Sequence, residues 1–210
     1  MSMTPIRIVK HFLREVADLC NYGVVESRKP LGSLTGLVFD PKSWRVEQFQ
    51  ISTLEVPDEP VFAPVQAFRS LDDEHRQLEI DLAGGPLVAP APDSSKTLAA
   101  AGLADTNSLI GHTVNGRDGP VGKVIDLLVN VDFWQLRYLV IESDTGHALT
   151  DIEWCVSVGD GEQPPSIDLP AKAIAKAPPY RDLHELCSGY EEALYRHYTS
   201  RAYARNGRIA

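Results

Sequence analysis

Two short runs decide how this chain reads: Asp118-Gly119-Pro120-Val121-Gly122-Lys123-Val124-Ile125-Asp126, and Trp134-Gln135-Leu136-Arg137-Tyr138-Leu139-Val140 a few residues later. The first opens on a glycine turn and continues as an apolar segment. The second alternates, with Trp134, Leu136, Tyr138 and Val140 on one face of a strand and Gln135, Arg137, Leu139 and Ile141 on the other. Between them, Asn130-Val131-Asp132 reads as a turn, so Val121 to Val129 and Trp134 to Glu142 are expected as two separate strands. Working outward, Leu109 to Val114 is a short apolar segment and Asn115 to Gly119 is a cluster of turn formers. Ile152 to Val158 and Ser166 to Leu169 supply two further short strands. Several short strands punctuated by turns predict a small barrel or sandwich, and a barrel leaves no edge open to aggregation.

The same pattern occurs 90 residues earlier. Positions 19–53 align with 109–143 without a gap, and Leu19, Val24, Pro30, Gly32, Leu37, Trp44 and Ile51 recur as Leu109, Val114, Pro120, Gly122, Leu127, Trp134 and Ile141. Unlike pairs such as Leu34/Val124, Val46/Leu136 and Phe49/Leu139 keep their apolar character. After a loop shorter by three residues in the second copy, Ile80-Asp81-Leu82 corresponds to Ile167-Asp168-Leu169. A repeat of this length is too long for a solenoid unit, so each copy is expected to be a domain. The boundaries read as 13–92, 103–182 and a C-terminal piece at 183–210, with a Gly-, Pro- and Ala-rich linker from Gly84 to Ser95.

The first copy has drifted further. It carries Arg28-Lys29 where the second has Asp118-Gly119, so its hairpin must turn without that glycine. Its Leu54 to Pro64 stretch holds Pro57, Pro60 and Pro64, which cannot donate to a ladder and mark an edge strand or a loop. Past the second copy, Ser188-Gly189-Tyr190-Glu191 has the form of a capping box. It opens a helix whose Tyr190, Leu194, Tyr195 and Tyr198 make an aromatic stripe, with Asn206-Gly207 as a stop. That stripe either docks on the second unit or forms a candidate interaction surface for a partner or a second copy.

These residues resemble the PRC-barrel domain. The resemblance lies in Leu109-Ile110-Gly111 through Val114, in Asp118-Gly119 with Gly122-Lys123-Val124 and Asp126, and in Trp134 with Arg137-Tyr138-Leu139-Val140. It continues in Ala177-Pro178-Pro179-Tyr180 and in Tyr190 to Tyr198. This is the β-barrel shared by the photosynthetic reaction-centre H subunit and the C-terminal part of a ribosome maturation factor. The resemblance implies a mainly β chain with two small PRC-type barrels in tandem and a C-terminal α-helix. The first copy keeps only Gly32 and Trp44 of these signatures, with Glu47-Gln48 where Arg-Tyr stands in the second.

Composition narrows the function classes. The chain has 210 residues and a formal charge of −9, and an acidic body repels phosphate backbones, so nucleic-acid binding is disfavoured. Residues 196–210 are the exception, with four arginines and no acid. No apolar run is long enough to span a bilayer, and Met1 to Lys10 lacks the pattern of a secretion signal. Three cysteines, Cys20, Cys155 and Cys187, make an odd count and read as reduced thiols of a cytoplasmic protein. Trp44 and Trp134, at equivalent strand starts, are expected to pack the barrels. The acids Asp126, Asp132, Glu142, Asp144, Asp151 and Glu153 are not spaced as a calcium loop, and His184 with Cys187 makes two ligands but not a site. No nucleophile elbow, phosphate loop or dinucleotide fingerprint appears, so no catalytic, metal or cofactor residue is assigned. The expectation is a non-catalytic protein-interaction or scaffolding module that binds another protein or itself. A peripheral membrane or reaction-centre assembly factor is the first alternative, and a ribosome- or RNA-maturation-associated protein the second.

Overall fold

The computed structural model describes residues 12–84, 87, 94–159 and 163–200. Met1 to Lys10, most of the linker, Arg201, Arg205 and Arg208 of the basic tail, and the Asn206-Gly207 stop lie outside the described residues. The first half holds β1 (Leu13–Glu15), α1 (Val16–Leu19), β2 (Gly23–Glu26), β3 (Lys29–Phe39), β4 (Val46–Thr53), β5 (Val61–Pro64), β6 (Phe68–Asp72) and β7 (Gln77–Ile80). After α2 (Ser94–Ala100) come β8 (Ala104–Asp105), β9 (Thr113–Gly116), β10 (Gly119–Asn130), β11 (Gln135–Ser143) and β12 (Gly146–Asp151). The chain continues through β13 (Cys155–Ser157), β14 (Ser166–Ile167), α3 (Ala171–Ala175) and α4 (Ser188–Tyr198).

The chain is mainly β and makes two seven-stranded sheets of identical plan. The first runs β5-β4-β3-β2-β7-β6 and the second β12-β11-β10-β9-β14-β13. In each, the last long-range pairing is parallel, β7 on β2 and β14 on β9. No ladder among the described residues joins the two ends of either path. The proline-bearing strand β5 is an end strand of the first sheet, where Pro64, opposite Gln48, needs no outward donor.

Equivalent residues do equivalent work in the two sheets. A Cβ on Gly32 would lie 2.0 Å from the carbonyl oxygen of Ser52, and one on Gly122 would lie 2.2 Å from that of Glu142. Neither distance is physical, so the recurring glycine is fixed by a neighbouring backbone that leaves no room for a side chain. Both long ladders also slip register at matching points, Leu34/Gly36 and Val124/Asp126. Such bulges bend a strand and add twist. The hairpins differ. Without the glycine of the second copy, Ser27 and Arg28 both take left-handed backbone angles, φ +50° and +66°. Both faces of β11 are covered: Leu136, Tyr138, Leu139, Val140 and Ile141 are all buried, the Tyr138 side lying beneath α4.

The two copies trade their leading strands. β1, at the head of the stretch 13–92, pairs with β10 of the second sheet, placing Glu15 opposite Leu128 and Arg14 opposite Val129. β8, at the head of 103–182, pairs with β3 of the first sheet, placing Asp105 opposite Val38 and Ala104 opposite Phe39. Adding 90 to Glu15 and Arg14 gives Asp105 and Ala104, and adding 90 to Val38 and Phe39 gives Leu128 and Val129, so the exchange is reciprocal. A bridge between Arg45 and Gln135 joins the sheets at one more point. There the Val46 N–H donates to the Trp134 carbonyl at 2.7 Å and the Leu136 N–H donates to the Trp44 carbonyl at 2.9 Å. Residues i and i+90 contact each other's equivalents, the signature of an isologous two-fold contact inside one chain. Trp44 and Trp134 flank this axis, buried and with left-handed backbone, φ +60° and +46°. A bulky residue held there costs on the order of 1–3 kcal/mol, which the surrounding packing must offset. The Trp134 ring meets Phe49 and Phe68 of the first sheet edge-on, with centroids 4.6 and 5.0 Å away.

At the C-terminus the expected capping box is not made. Cys187 is the N-cap of α4 and makes no side-chain cap hydrogen bond. Glu191 instead turns toward β11 and accepts from the Tyr138 hydroxyl at 3.0 Å. Among the described residues no helix is long and apolar enough to cross a membrane.

Candidate functional site: an aromatic groove at the junction

Where the two sheets meet beside the pseudo-two-fold axis, the surface opens into a groove of about 620 Å³. It is lined by Phe12 and Arg14 at β1, by Phe68 and Leu71 of β6, and by Val131, Asp132 and Phe133 of the β10–β11 turn. Phe133 is 72% exposed, the most exposed large apolar side chain among the described residues. Its position follows from the turn. The Asn130 side chain accepts from the Asp132 and Phe133 N–H groups, which folds the turn tightly and projects Phe133 outward while Trp134 is buried.

The groove's cation is already engaged. Arg14 donates through Nε and Nη2 to both carboxylate oxygens of Asp73. The Arg14 guanidinium, with the Tyr22 hydroxyl, holds the Asp73 carboxyl below the usual carboxylate range despite partial burial. Tyr22 itself is pushed up to about 12, by burial first and then by the Asp73 carboxylate it donates to. With Arg14 neutralised by Asp73, Asp132 gives the groove a negative group.

The pseudo-symmetry supplies an internal comparison. The positions equivalent to Phe12, Phe68 and Phe133 are Gly102, Cys155 and Ser43, and the position equivalent to Asp132 is Lys42. One of two matched places in the molecule is thus aromatic and acidic, and the other is small and basic. Core packing constrains both copies alike, so it does not account for an exposed phenylalanine on one side only.

The aromatic stripe of α4 divides differently. Leu194 and Tyr198 are buried against the second unit, and the Tyr198 hydroxyl donates to the Leu149 carbonyl at 2.7 Å. Tyr190 is half-buried and donates to the Pro178 carbonyl at 2.9 Å. Tyr195 alone points outward, 66% exposed. Beneath the helix, burial raises the carboxyls of Asp151 and Glu191, while Arg137 stands 4.0 Å from Asp151. These groups seat the helix against β11 and do not line the groove.

His184 and Cys187 flank the start of α4, and among the described residues no three His, Cys, Asp or Glu side chains stand together as a metal site. Burial pushes the thiols of Cys20 and Cys155 up to about 11 and about 12, which suppresses the thiolate, while Cys187 is exposed.

Sequence reasoning singled out α4 and residues 103–182 but missed the groove. The signal was present in the repeat alignment as the unlike pairs Phe133/Ser43 and Phe68/Cys155. It needed the exchanged strands to bring Phe12, β6 and the β10–β11 turn together. No family model matches the chain, and no curated protein matches it.

Proposed function

We propose that the chain is a tandem PRC-barrel protein acting as a non-catalytic docking module, whose groove receives an apolar, positively charged segment of a partner protein. The observation that carries this reading is the asymmetry between the groove and its pseudo-symmetric counterpart. Three aromatics and an acid gather at one place, against glycine, cysteine, serine and lysine at the other. The barrel part is supported by the sequence signatures and by matched bulges that curl each sheet. An open groove with one hydrophobic anchor at its mouth suits a protein surface better than a small molecule, which favours enclosure. A basic partner is favoured by Asp132 at the groove and by the −9 charge of the whole chain. We place this activity in the cytoplasm, where an odd set of free thiols stays reduced.

The test is affinity capture on the full chain followed by cross-linking and mass spectrometry. The expected result is a protein cross-linked at the groove through a Lys- or Arg-containing segment. Capture should fall at least tenfold with Phe133→Asp and stay unchanged with Ser43→Asp, the same substitution at the symmetry-related position. Equal capture by both variants, or no capture above a bait-free control, contradicts the reading.

A further inference from the structure

The exchanged strands are held by different chemistry in the two halves. In the first sheet the arm that follows β8 is secured by uncharged groups. The buried Thr106 hydroxyl accepts from the Leu37 N–H at 3.1 Å, and the Asn107 amide donates to the Thr35 carbonyl at 3.2 Å and to the Gln50 side chain at 3.3 Å. Gly36 lies at the heart of that contact, and a Cβ there would stand 2.8 Å from the Asn107 amide nitrogen.

In the second sheet the residue equivalent to Gly36 is Asp126. Its carboxylate accepts from the Ala17 N–H in α1 at 3.0 Å and from the Leu127 N–H at 2.7 Å, so it sits beneath the arm formed by β1 and α1. Glu15 lies opposite Leu128, two residues along β10 from Asp126, and shares its face of the ladder. Such diagonal neighbours are roughly 7–8 Å apart, within mutual repulsion when partly buried. Glu15 also accepts from the hydroxyl of buried Tyr180 at 2.7 Å.

Among the described residues, the charged groups around this acid pair come from the arm and from the C-terminal side, with Lys172 on α3 and Lys176 at its end, and α3 also packs against β10. On the arm, Arg14 is turned to Asp73, Asp18 to Arg76, and Cys20 is an uncharged thiol. From the C-terminal side come Tyr180, Asp182, His184 and Glu185, the last paired with Arg181.

We propose that β1 and α1 form a proton-dependent latch on the second sheet, seated while Asp126 is neutral and loosened when it is charged beneath the arm. Burial pushes Asp126 up to about 6 and the charge of Glu15 adds to this, against the lowering by the Leu127 and Ala17 donors. A carboxyl raised in the seated state makes that state most stable at low pH. Its contribution is complete below about pH 4 and disappears as pH rises through about 6. The first-sheet arm has no such group and stays seated across this range. Phe12 and Arg14 belong to the latch, so its release removes part of the groove's lining. That consequence rests on the docking reading, whereas the latch itself does not.

Hydrogen exchange read by mass spectrometry on the full chain tests the latch without any partner. Between pH 5 and 7.5, after correction for intrinsic exchange rates, protection in peptides spanning 13–20 is expected to fall at least tenfold. Peptides spanning 103–110 should show no such fall. Asp126→Asn keeps the acceptor and removes the charge, and it should flatten the dependence. If that variant fails to fold, Glu15→Gln, which removes the smaller charge contribution, should move the dependence to lower pH, and His184→Gln should leave it in place. A flat wild-type profile, a slope that survives Asp126→Asn or is unmoved by Glu15→Gln, or one abolished by His184→Gln overturns the latch. If protection changes as expected but Phe133→Asp does not affect capture, the latch stands and the docking reading fails.

Discussion

At the scale of single residues, the repeat is a record of places where backbone meets backbone. Gly32 and Gly122 recur because the carbonyls of Ser52 and Glu142 occupy the space a side chain needs. Gly32→Ala and Gly122→Ala should each destabilise the chain by about 2–4 kcal/mol, since the strand must shift or the ladder must open. Chemical denaturation measures this, and a loss below 0.5 kcal/mol for both, on the order of an ordinary surface change, would show that the close approach is not tight. Residues without a partner in the repeat carry different information. Phe133 and Asp126 correspond in the repeat to Ser43 and Gly36, and these two differences are the ones that bear on docking and on the latch.

At the scale of elements, much was legible beforehand. The two strands β10 and β11, the edge placement of β5 and a helix from Ser188 follow from glycine turns, prolines and apolar spacing, all local properties. The capping box was misread because Glu191 had a stronger option than the helix's own N-terminus, namely the Tyr138 hydroxyl on a strand some 50 positions away. Which tyrosines of α4 face inward depends on that same docking. Tyr198→Phe removes a hydroxyl that satisfies a buried carbonyl and should cost about 1–2 kcal/mol. Tyr195→Ala, on the exposed face, should change stability by less than about 0.5 kcal/mol. Thermal unfolding of the two variants distinguishes them, and equal losses would place Tyr195 at the interface as well.

At the scale of the whole molecule, the repeat spacing predicted two units but not how they join. Strand exchange leaves no local mark, because Leu13 to Glu15 pairs equally well on paper with β3 or with β10. The choice is made by long-range packing around Trp44 and Trp134, and the groove exists only as its result. The groove and the latch both depend on that exchange, since it places Phe12 beside Phe133 and Glu15 beside Asp126. Cysteine cross-linking tests it most directly, with the native cysteines replaced by serine. Arg14→Cys combined with Val129→Cys should form an intramolecular disulfide in the monomer, whereas Arg14→Cys combined with Phe39→Cys should not. Efficient closure of the second pair and none of the first would contradict the exchange and the groove built on it.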